Sequence, residues 1–217
     1  MPTFPPPGKI GVKICGLTQR DPSEQVIAAG ADALGFNFWP QSKRYLPLPQ
    51  ALSWLPSLPR TAAFVAVLVN PDAALLEDLI HSGQFDTLQL HGDEPPATVA
   101  DLMARGIHVI KALQVRDASS LESISAYPCT DILLDAYNPG LYGGAGEPFP
   151  WHLFELARQR FPEKTFILSG GLTPENIAQA VTQTRPAAVD IASGVESAPG
   201  IKDLDKVRAF IHNARTA

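Results

Sequence analysis

The chain has 217 residues, which suits one domain because α/β barrels often reach about 200 to 250 residues as a single unit. Forty-five percent of the residues are hydrophobic and 18 percent are charged, which excludes the composition of a disordered chain. The 22 acidic and 17 basic side chains give a net charge of −5 without basic runs, so no nucleic-acid partner is expected.

The chain begins with a Pro-rich leader, residues 1–8, where a secretory signal would be basic and then apolar. No later apolar run approaches the roughly 20 residues that a membrane-spanning helix requires. The two cysteines, Cys15 and Cys129, are too few for a disulfide framework and lack the spacing of metal ligands. These features predict a cytoplasmic protein without a membrane partner.

Beyond the leader, short apolar runs alternate with helical patterns, which indicates a parallel sheet with crossover helices. Runs that are almost continuously apolar suit strands that are buried on both faces. The eight predicted strands are Gly11 to Cys15, Leu34 to Phe38, Ala63 to Val69, Asp86 to Leu90, His108 to Leu113, Asp131 to Asp135, Phe166 to Ser169 and Ala188 to Ala192.

Helix signals lie between these runs. Pro71 is expected in the first turn of a helix that ends near His81, and Thr173 is expected to cap a helix that has Pro174 at its first position. Further helices are predicted over Val99 to Arg105, Trp151 to Arg160 and Leu204 to Arg215, and a short one over Ser119 to Ala126.

Eight strand-helix units of about 27 residues each favour a (βα)8 TIM barrel, because an open doubly wound sheet rarely needs eight parallel strands. We therefore predict one α/β domain over residues 1–217, with a shortened or missing helix after strand 5. Function in this architecture is built at the carboxyl ends of the strands.

Two residues at strand ends could carry chemistry. Cys15 ends the first strand, although a single cysteine is often only a small buried hydrophobe. Asp135 ends the sixth strand, where it either caps a turn or acts as a general acid, since burial favours the protonated carboxyl group. The sequence alone leaves both alternatives open, and Cys129 is interpreted as structural.

Anion-binding features follow the last two strands and the second. Gly170 and Gly171, with Ser193 and Gly194, occupy the seventh and eighth loops, which commonly cradle a phosphate in barrels, although glycines can also simply make tight turns. Arg44 is either a solvated charge or a ligand for an anionic group. Asp190 lies inside an apolar run, which favours a structural hydrogen-bond acceptor.

Taken together in chain order, the motifs resemble the phosphoribosylanthranilate isomerase family over nearly the whole chain. The segments that carry this resemblance are Lys13 to Thr18, Gly35 and Phe36, Ser42 to Tyr45, Gln89 to Gly92, Leu133 to Asp135, Gly143 to Gly146, Ser169 to Asn176, Val189 to Glu196 and Pro199 to Asp203. The sequence departs from the family pattern at Ala145, Pro150 and Ala192.

The resemblance implies a catalytic domain that performs an Amadori rearrangement in tryptophan biosynthesis without a cofactor. No metal is expected either, because no His, Cys or Asp cluster has the spacing of metal ligands and the reaction runs by proton transfer alone. The resemblance implies Asp135 as general acid and Cys15, as thiolate, as general base. The substrate phosphate would bind Gly170, Gly171, Ser193 and Gly194, the anthranilate carboxylate would bind Arg44, and His91 and Asp190 would make supporting contacts. The partner is a small-molecule substrate, and the chain is expected to be a monomer or homodimer.

Two alternative functions call for different features in the sequence. A dual-substrate isomerase of histidine and tryptophan biosynthesis resembles a twofold-repeated barrel with paired aspartates, whereas this chain has Cys15 and no visible half-barrel repeat. A non-catalytic sugar-phosphate-binding barrel would need neither Cys15 nor Asp135.

Overall fold

The computed structural model describes residues 2–137 and 149–217, and its strands form a closed parallel barrel in the order β1 to β8. The prediction of a (βα)8 barrel is confirmed, and the predicted strand ends differ from the observed ones by at most two residues. The strands are β1 (Gly11–Cys15), β2 (Ala33–Asn37), β3 (Ala63–Leu68), β4 (Thr87–Leu90), β5 (Val109–Val115), β6 (Asp131–Ala136), β7 (Thr165–Leu168) and β8 (Ala188–Ile191).

Helices connect most of these strands, and the segment after β5 is the exception. Residues Ala118–Ala126 form a 3₁₀ helix there, in agreement with the short helix that the sequence predicts. The α-helices are α1 (Arg20–Ala28), α2 (Leu48–Leu52), α3 (Ala73–Ser82), α4 (Pro96–Ala104), α5 (Trp151–Arg160), α6 (Ile177–Thr184) and α7 (Leu204–Arg215). None of the helices in the described ranges is long and apolar enough to cross a membrane.

Three predicted helix starts are wrong by two or three residues, and one of them is α4, which begins at Pro96 and not at the predicted Val99. Helix α3 is capped by Asp72, whose carboxylate accepts from the Leu75 N–H, so Pro71 precedes the helix and does not lie in its first turn. The Thr173 hydroxyl does accept backbone N–H groups, as a cap would, but it closes a turn before α6, which begins only at Ile177. Pro71 thus lies one residue before the cap of α3, and Thr173 lies three residues before Asn176, the residue that precedes α6.

A short antiparallel hairpin follows β8 and was not predicted. It consists of β9 (Glu196–Ala198) and β10 (Ile201–Lys202), and a 3₁₀ turn over Ser193–Val195 connects it to the barrel. The hairpin thus belongs to the carboxyl end of the barrel, on the side of the eighth loop.

The described residues form two apolar cores. The larger one lies between the strands and the surrounding helices, and the smaller one fills the barrel. Small side chains, including Ala33, Ala63 and Ala188, contribute to the inner core and leave room there for longer polar ones. Lys13 and Asp190 occupy that interior and are both buried.

The leader packs against the barrel. Phe4 is 1% exposed and belongs to the inner core, and Pro6 packs so closely on Gly11 that a Cβ at Gly11 would lie 2.6 Å from its Cδ. Gly11 begins β1, so this contact is at the amino end of the barrel, opposite to the strand ends that carry the candidate site. The leader therefore closes the bottom of the barrel.

We predict that Phe4→Ala lowers the free energy of unfolding by about 3 kcal/mol, because removing a fully buried phenylalanine leaves a cavity. Met103→Ala is the control, since Met103 is 39% exposed and its truncation should cost less than about 1 kcal/mol. Urea unfolding followed by circular dichroism measures both. Equal, small losses would show that the leader does not contribute to the core.

Candidate active site

The residues predicted for a site lie at one end of the barrel. Cys15 ends β1, His91 follows β4, and Asp135 is the second-last residue of β6. The predicted phosphate loops follow β7 and β8 at the same edge, because all eight strands are parallel. The fold therefore brings together residues that are up to 179 positions apart in the chain, from Cys15 to Gly194.

Cys15 lies in the barrel mouth above a glycine. Its partner in the β1–β2 register is Gly35, and a Cβ at Gly35 would lie 2.7 Å from the Cys15 Sγ and 3.0 Å from the Lys13 Nζ. Burial raises the pKa of the Cys15 thiol, and the Lys13 ammonium opposes that effect. The absence of a side chain at position 35 thus leaves the space that the thiol and the ammonium occupy.

An ion pair fills the barrel beside this thiol. Lys13 Nζ donates to Asp190 Oδ1 at 2.8 Å, and the two residues are direct partners in the β1–β8 register. The prediction that Asp190 accepts a hydrogen bond is confirmed. Burial lowers the pKa of Lys13, but Asp190 and Cys15 raise it by more, so the net pKa is above the usual value and the side chain is a cation.

Asp135 is held by two donors. Its Oδ1 accepts from the Ala136 N–H at 3.0 Å, and its Oδ2 is 3.2 Å from His91 Nε2. The other ring nitrogen, Nδ1, is 3.0 Å from the Gln89 amide nitrogen. When the amide donates to Nδ1, Nε2 is the nitrogen that carries a proton toward Asp135. The contact joins two of the predicted site residues, His91 and Asp135.

A second buried ion pair fixes the backbone around His91. Lys111 Nζ donates to the carbonyl oxygens of Leu90 at 3.2 Å and Gly92 at 2.6 Å, on either side of His91. It also pairs with Glu94 at 2.7 Å, and Glu94 accepts from the Gly92 N–H. Sequence reasoning missed this pair, although a lysine inside the apolar run of β5 was a visible signal.

Arg44 is not a solvated charge, which was one of its two interpretations from the sequence. Its Nε and Nη2 donate to the two carboxylate oxygens of Glu196 at 2.8 Å and 2.6 Å, and its side chain is 12% exposed. These hydrogen bonds raise the pKa of Arg44. Glu196 also accepts from Lys202 at 2.7 Å, so the hairpin supplies a carboxylate between two cations. Gly16 packs against the Arg44 side chain, because a Cβ at position 16 would overlap Cδ of Arg44.

The glycines of the last two loops allow close backbone contacts. Gly170 and Gly171 have φ values of 89° and 62°, in the left-handed region. A Cβ at Gly170 would lie 2.7 Å from the Ala136 nitrogen and 3.1 Å from Asp135 Oδ1. A Cβ at Gly194, which follows Ser193, would overlap the Leu172 carbonyl oxygen. The two loops therefore pack tightly against the strand of Asp135 and against each other.

Other notable positions have structural explanations or lie outside the described ranges. Cys129 is buried in the outer core, where its Sγ donates to the Asp131 carbonyl at 3.7 Å. Pro150 immediately precedes α5, and the Ala192 carbonyl accepts from Lys202 at 3.2 Å. The glycine-rich segment 143–146, with Ala145, lies outside the described residues. Within 2–137 and 149–217, no group of three or more His, Cys, Asp or Glu side chains could hold a metal ion.

Comparisons with known proteins agree on one family. The model of the N-(5'-phosphoribosyl)anthranilate isomerase family matches residues 12–213. The enzyme of that name from Trichlorobacter lovleyi is 43% identical over 209 residues, which cover 96% of this chain and 99% of the relative.

Solved structures give the same result. The phosphoribosyl anthranilate isomerase from Thermotoga maritima superposes with a TM-score of 0.85 at 38% identity, over 96% of this chain and 100% of that one. A second structure, an isomerase in complex with reduced 1-(o-carboxyphenylamino)-1-deoxyribulose 5-phosphate, has a TM-score of 0.81 at 36% identity, over 96% and 100% of the two chains.

We predict that Gly170→Ala destabilises the protein more than Gly83→Ala. Both glycines have positive φ values, 89° and 61°, but a Cβ at Gly83 has nothing within 4 Å. Gly83→Ala should therefore cost only the backbone strain of about 1 to 2 kcal/mol, and Gly170→Ala about 1 to 3 kcal/mol more for the steric overlap. Urea unfolding measures the difference, and equal losses would contradict the close contact at Asp135.

Proposed function

The chain belongs to the N-(5'-phosphoribosyl)anthranilate isomerase family, and from this premise we propose the residues that carry out its reaction. The protein is an isomerase of tryptophan biosynthesis. It converts N-(5-phosphoribosyl)anthranilate to 1-(2-carboxyphenylamino)-1-deoxyribulose 5-phosphate by an Amadori rearrangement, in which one proton leaves C2′ and one is added at C1′.

The observation that carries the proposal is the position of Cys15 and Asp135. Both side chains belong to the inward-facing positions of their strands at the barrel mouth, and β7 and β8 separate β6 from β1 in the closed barrel. A ligand in the mouth would therefore lie between an acid and a base. This arrangement suits a reaction that needs both proton transfers on one ribose.

Asp135 is the proposed general acid. It protonates the furanose ring oxygen, and the C1′–O bond breaks to give the open-chain protonated imine. As its proton leaves, Asp135 becomes a carboxylate that already faces two donors, the Ala136 N–H and the His91 Nε2–H. Donors that are in place before the charge develops stabilise it without reorganisation. His91 is thus the proposed supporting contact of the acid.

Cys15 is the proposed general base. As a thiolate, it removes the C2′ proton from the imine, and the electron pair of that bond forms the enolamine. The enolamine then tautomerises to the ketone when C1′ accepts a proton. Burial raises the pKa of Cys15, so a nearby positive charge is needed to populate its thiolate form.

The proposed anchors bind the two charged ends of the substrate. Backbone N–H groups of Gly170, Gly171, Ser193 and Gly194 would hold the phosphate, since the tight turns at these glycines let the backbone approach a ligand closely. Arg44 would bind the anthranilate carboxylate through its Nη1–Nη2 edge, because Glu196 takes the Nε–Nη2 edge. A protein with a net charge of −5 needs such local donors for an anionic substrate.

Other features of the protein remain predictions. We propose that residues 1–217 act as one catalytic domain without a cofactor, in the cytoplasm, as a monomer or homodimer. The enzymatic function itself is tested by conversion of phosphoribosylanthranilate in a coupled assay, read as loss of its fluorescence. Turnover of the related histidine-pathway substrate at a comparable rate would favour the dual-substrate alternative.

We predict that Cys15→Ala and Asp135→Asn each lower kcat by about 10² to 10⁴-fold, the usual contribution of a general acid or base. The two variants should keep the native circular dichroism spectrum, because each replacement is close in size to the original side chain. If either variant retained more than about a tenth of the wild-type kcat, the role assigned to that residue would fail.

We predict that Arg44→Ala weakens binding of the reduced product analogue by about 10 to 150-fold, as expected for loss of a charge-assisted bidentate contact of roughly 1.5 to 3 kcal/mol. Lys43→Ala is the matched control, since Lys43 is the neighbouring exposed cation. Glu196 keeps Lys202 as a partner in the Arg44 variant. Titration calorimetry measures both affinities, and equal losses of a few-fold would exclude a direct contact from Arg44.

A further inference from the structure

We propose that Lys13, held by Asp190, is a positioning residue that stabilises the thiolate form of Cys15. The proposal rests on the proposed role of Cys15 as the general base. It assigns a role to Lys13, which belongs neither to the proposed substrate anchors nor to the acid-base pair. Lys13 acts through Cys15 and does not itself need to contact the substrate.

The geometry places the ammonium beside the sulfur. Lys13 and Cys15 are two residues apart in β1, so their side chains lie on the same face of the strand and point into the barrel. Both groups border the space above Gly35, because a Cβ added at Gly35 would lie 2.7 Å from the Cys15 Sγ and 3.0 Å from the Lys13 Nζ. The side chain of Lys13 is 0% exposed, so solvent does not screen its charge.

The other charged groups near Cys15 are less suited than Lys13 to stabilise its thiolate. They are Asp190 on β8, Glu196 on β9, Lys202 on β10 and Arg44 after β2. Arg44 and Lys202 both donate to Glu196, whose carboxylate balances part of their charge. Among the charged neighbours Lys13 has the largest lowering effect on the pKa of Cys15, ahead of Lys202.

Asp190 explains how a lysine stays charged inside the barrel. An unpaired ammonium in an apolar interior would lose its proton, and the carboxylate at 2.8 Å prevents this. When Cys15 loses its proton, Lys13 lies between two anions and compensates the new charge. The pair thus keeps the Lys13 cation beside Cys15, which must be an anion to act as the base.

Nuclear magnetic resonance of protein labelled with [3-¹³C]cysteine tests this directly. The chain has two cysteines, so the Cβ signals of Cys15 and Cys129 report two pKa values, and Cys129→Ser assigns them. In Lys13→Met the pKa of Cys15 should rise by about one pH unit or more, which is at least tenfold less thiolate near neutral pH. The lower limb of the pH profile of kcat/KM should move with it.

Two internal controls separate this effect from general damage. The pKa of Cys129 should stay at its wild-type value in Lys13→Met, because Cys129 lies in the outer core. Lys111→Met removes another fully buried lysine from its carboxylate, Glu94, and should leave the pKa of Cys15 unchanged. A merely structural role of Lys13 would lower activity without moving the pKa of Cys15.

A second variant protects the test against misfolding. Lys13→Met leaves Asp190 as an unpaired buried carboxylate, so the second variant, Lys13→Met/Asp190→Asn, removes both charges. Because Asp190 itself raises the pKa of Cys15, and Lys13 lowers it by more, the pKa should still rise in this variant, but by less than in Lys13→Met. An unmoved pKa of Cys15 in either folded variant overturns the proposal. If Cys15→Ala is inactive in that case, only the role of Lys13 fails, whereas full activity of Cys15→Ala removes the base assignment itself.

Discussion

The ion pair between Lys13 and Asp190 links the first and last strands of the barrel from the inside. Its two residues are register partners across the β1–β8 junction, 2.8 Å apart and almost fully buried. Such a pair is costly to break, because loss of one partner leaves a charge without solvent. Small side chains around it, such as Ala33 and Ala188, leave the space that it needs. The position of Cys15, two residues further along β1, depends on that arrangement.

The same construction recurs around the mouth. Asp135 has His91 and the Ala136 N–H, Arg44 has Glu196, and the backbone of His91 has the Lys111–Glu94 pair. In each case a group proposed for chemistry or binding is fixed by a buried partner from another strand or loop. The proposed site is therefore preorganised by buried partners of the groups that meet the substrate, which favours electrostatic stabilisation of developing charge.

Much of this could be predicted from the sequence, since buried parallel strands are marked by apolar runs and their carboxyl ends carry the candidate residues. Cys15, Asp135, His91 and the glycines of the last loops followed from that rule. The helix starts near Pro71 and Thr173 did not, because a proline can also precede the capping residue, as at α3, and a hydroxyl can close a turn before a helix, as at α6.

The partners of the site residues were mostly missed. Lys13 and Asp190 are 177 residues apart, and a sequence pattern does not show which distant charges meet. The hairpin with Glu196 and Lys202 is too short for a periodic signal. A charged residue inside an otherwise apolar strand, as at Lys13 and Lys111, is the sign that could have directed attention to them, because such a residue requires a buried partner.

The central claim is that Cys15 and Asp135 flank the ribose of one bound substrate. A crystal structure of this protein with reduced 1-(o-carboxyphenylamino)-1-deoxyribulose 5-phosphate would test it most directly. We expect the sulfur of Cys15 within about 3 to 4 Å of C2′ and the carboxyl group of Asp135 on the opposite side of the sugar chain. An analogue bound in the mouth with C2′ out of reach of Cys15, or with both side chains on one side of it, would contradict the account.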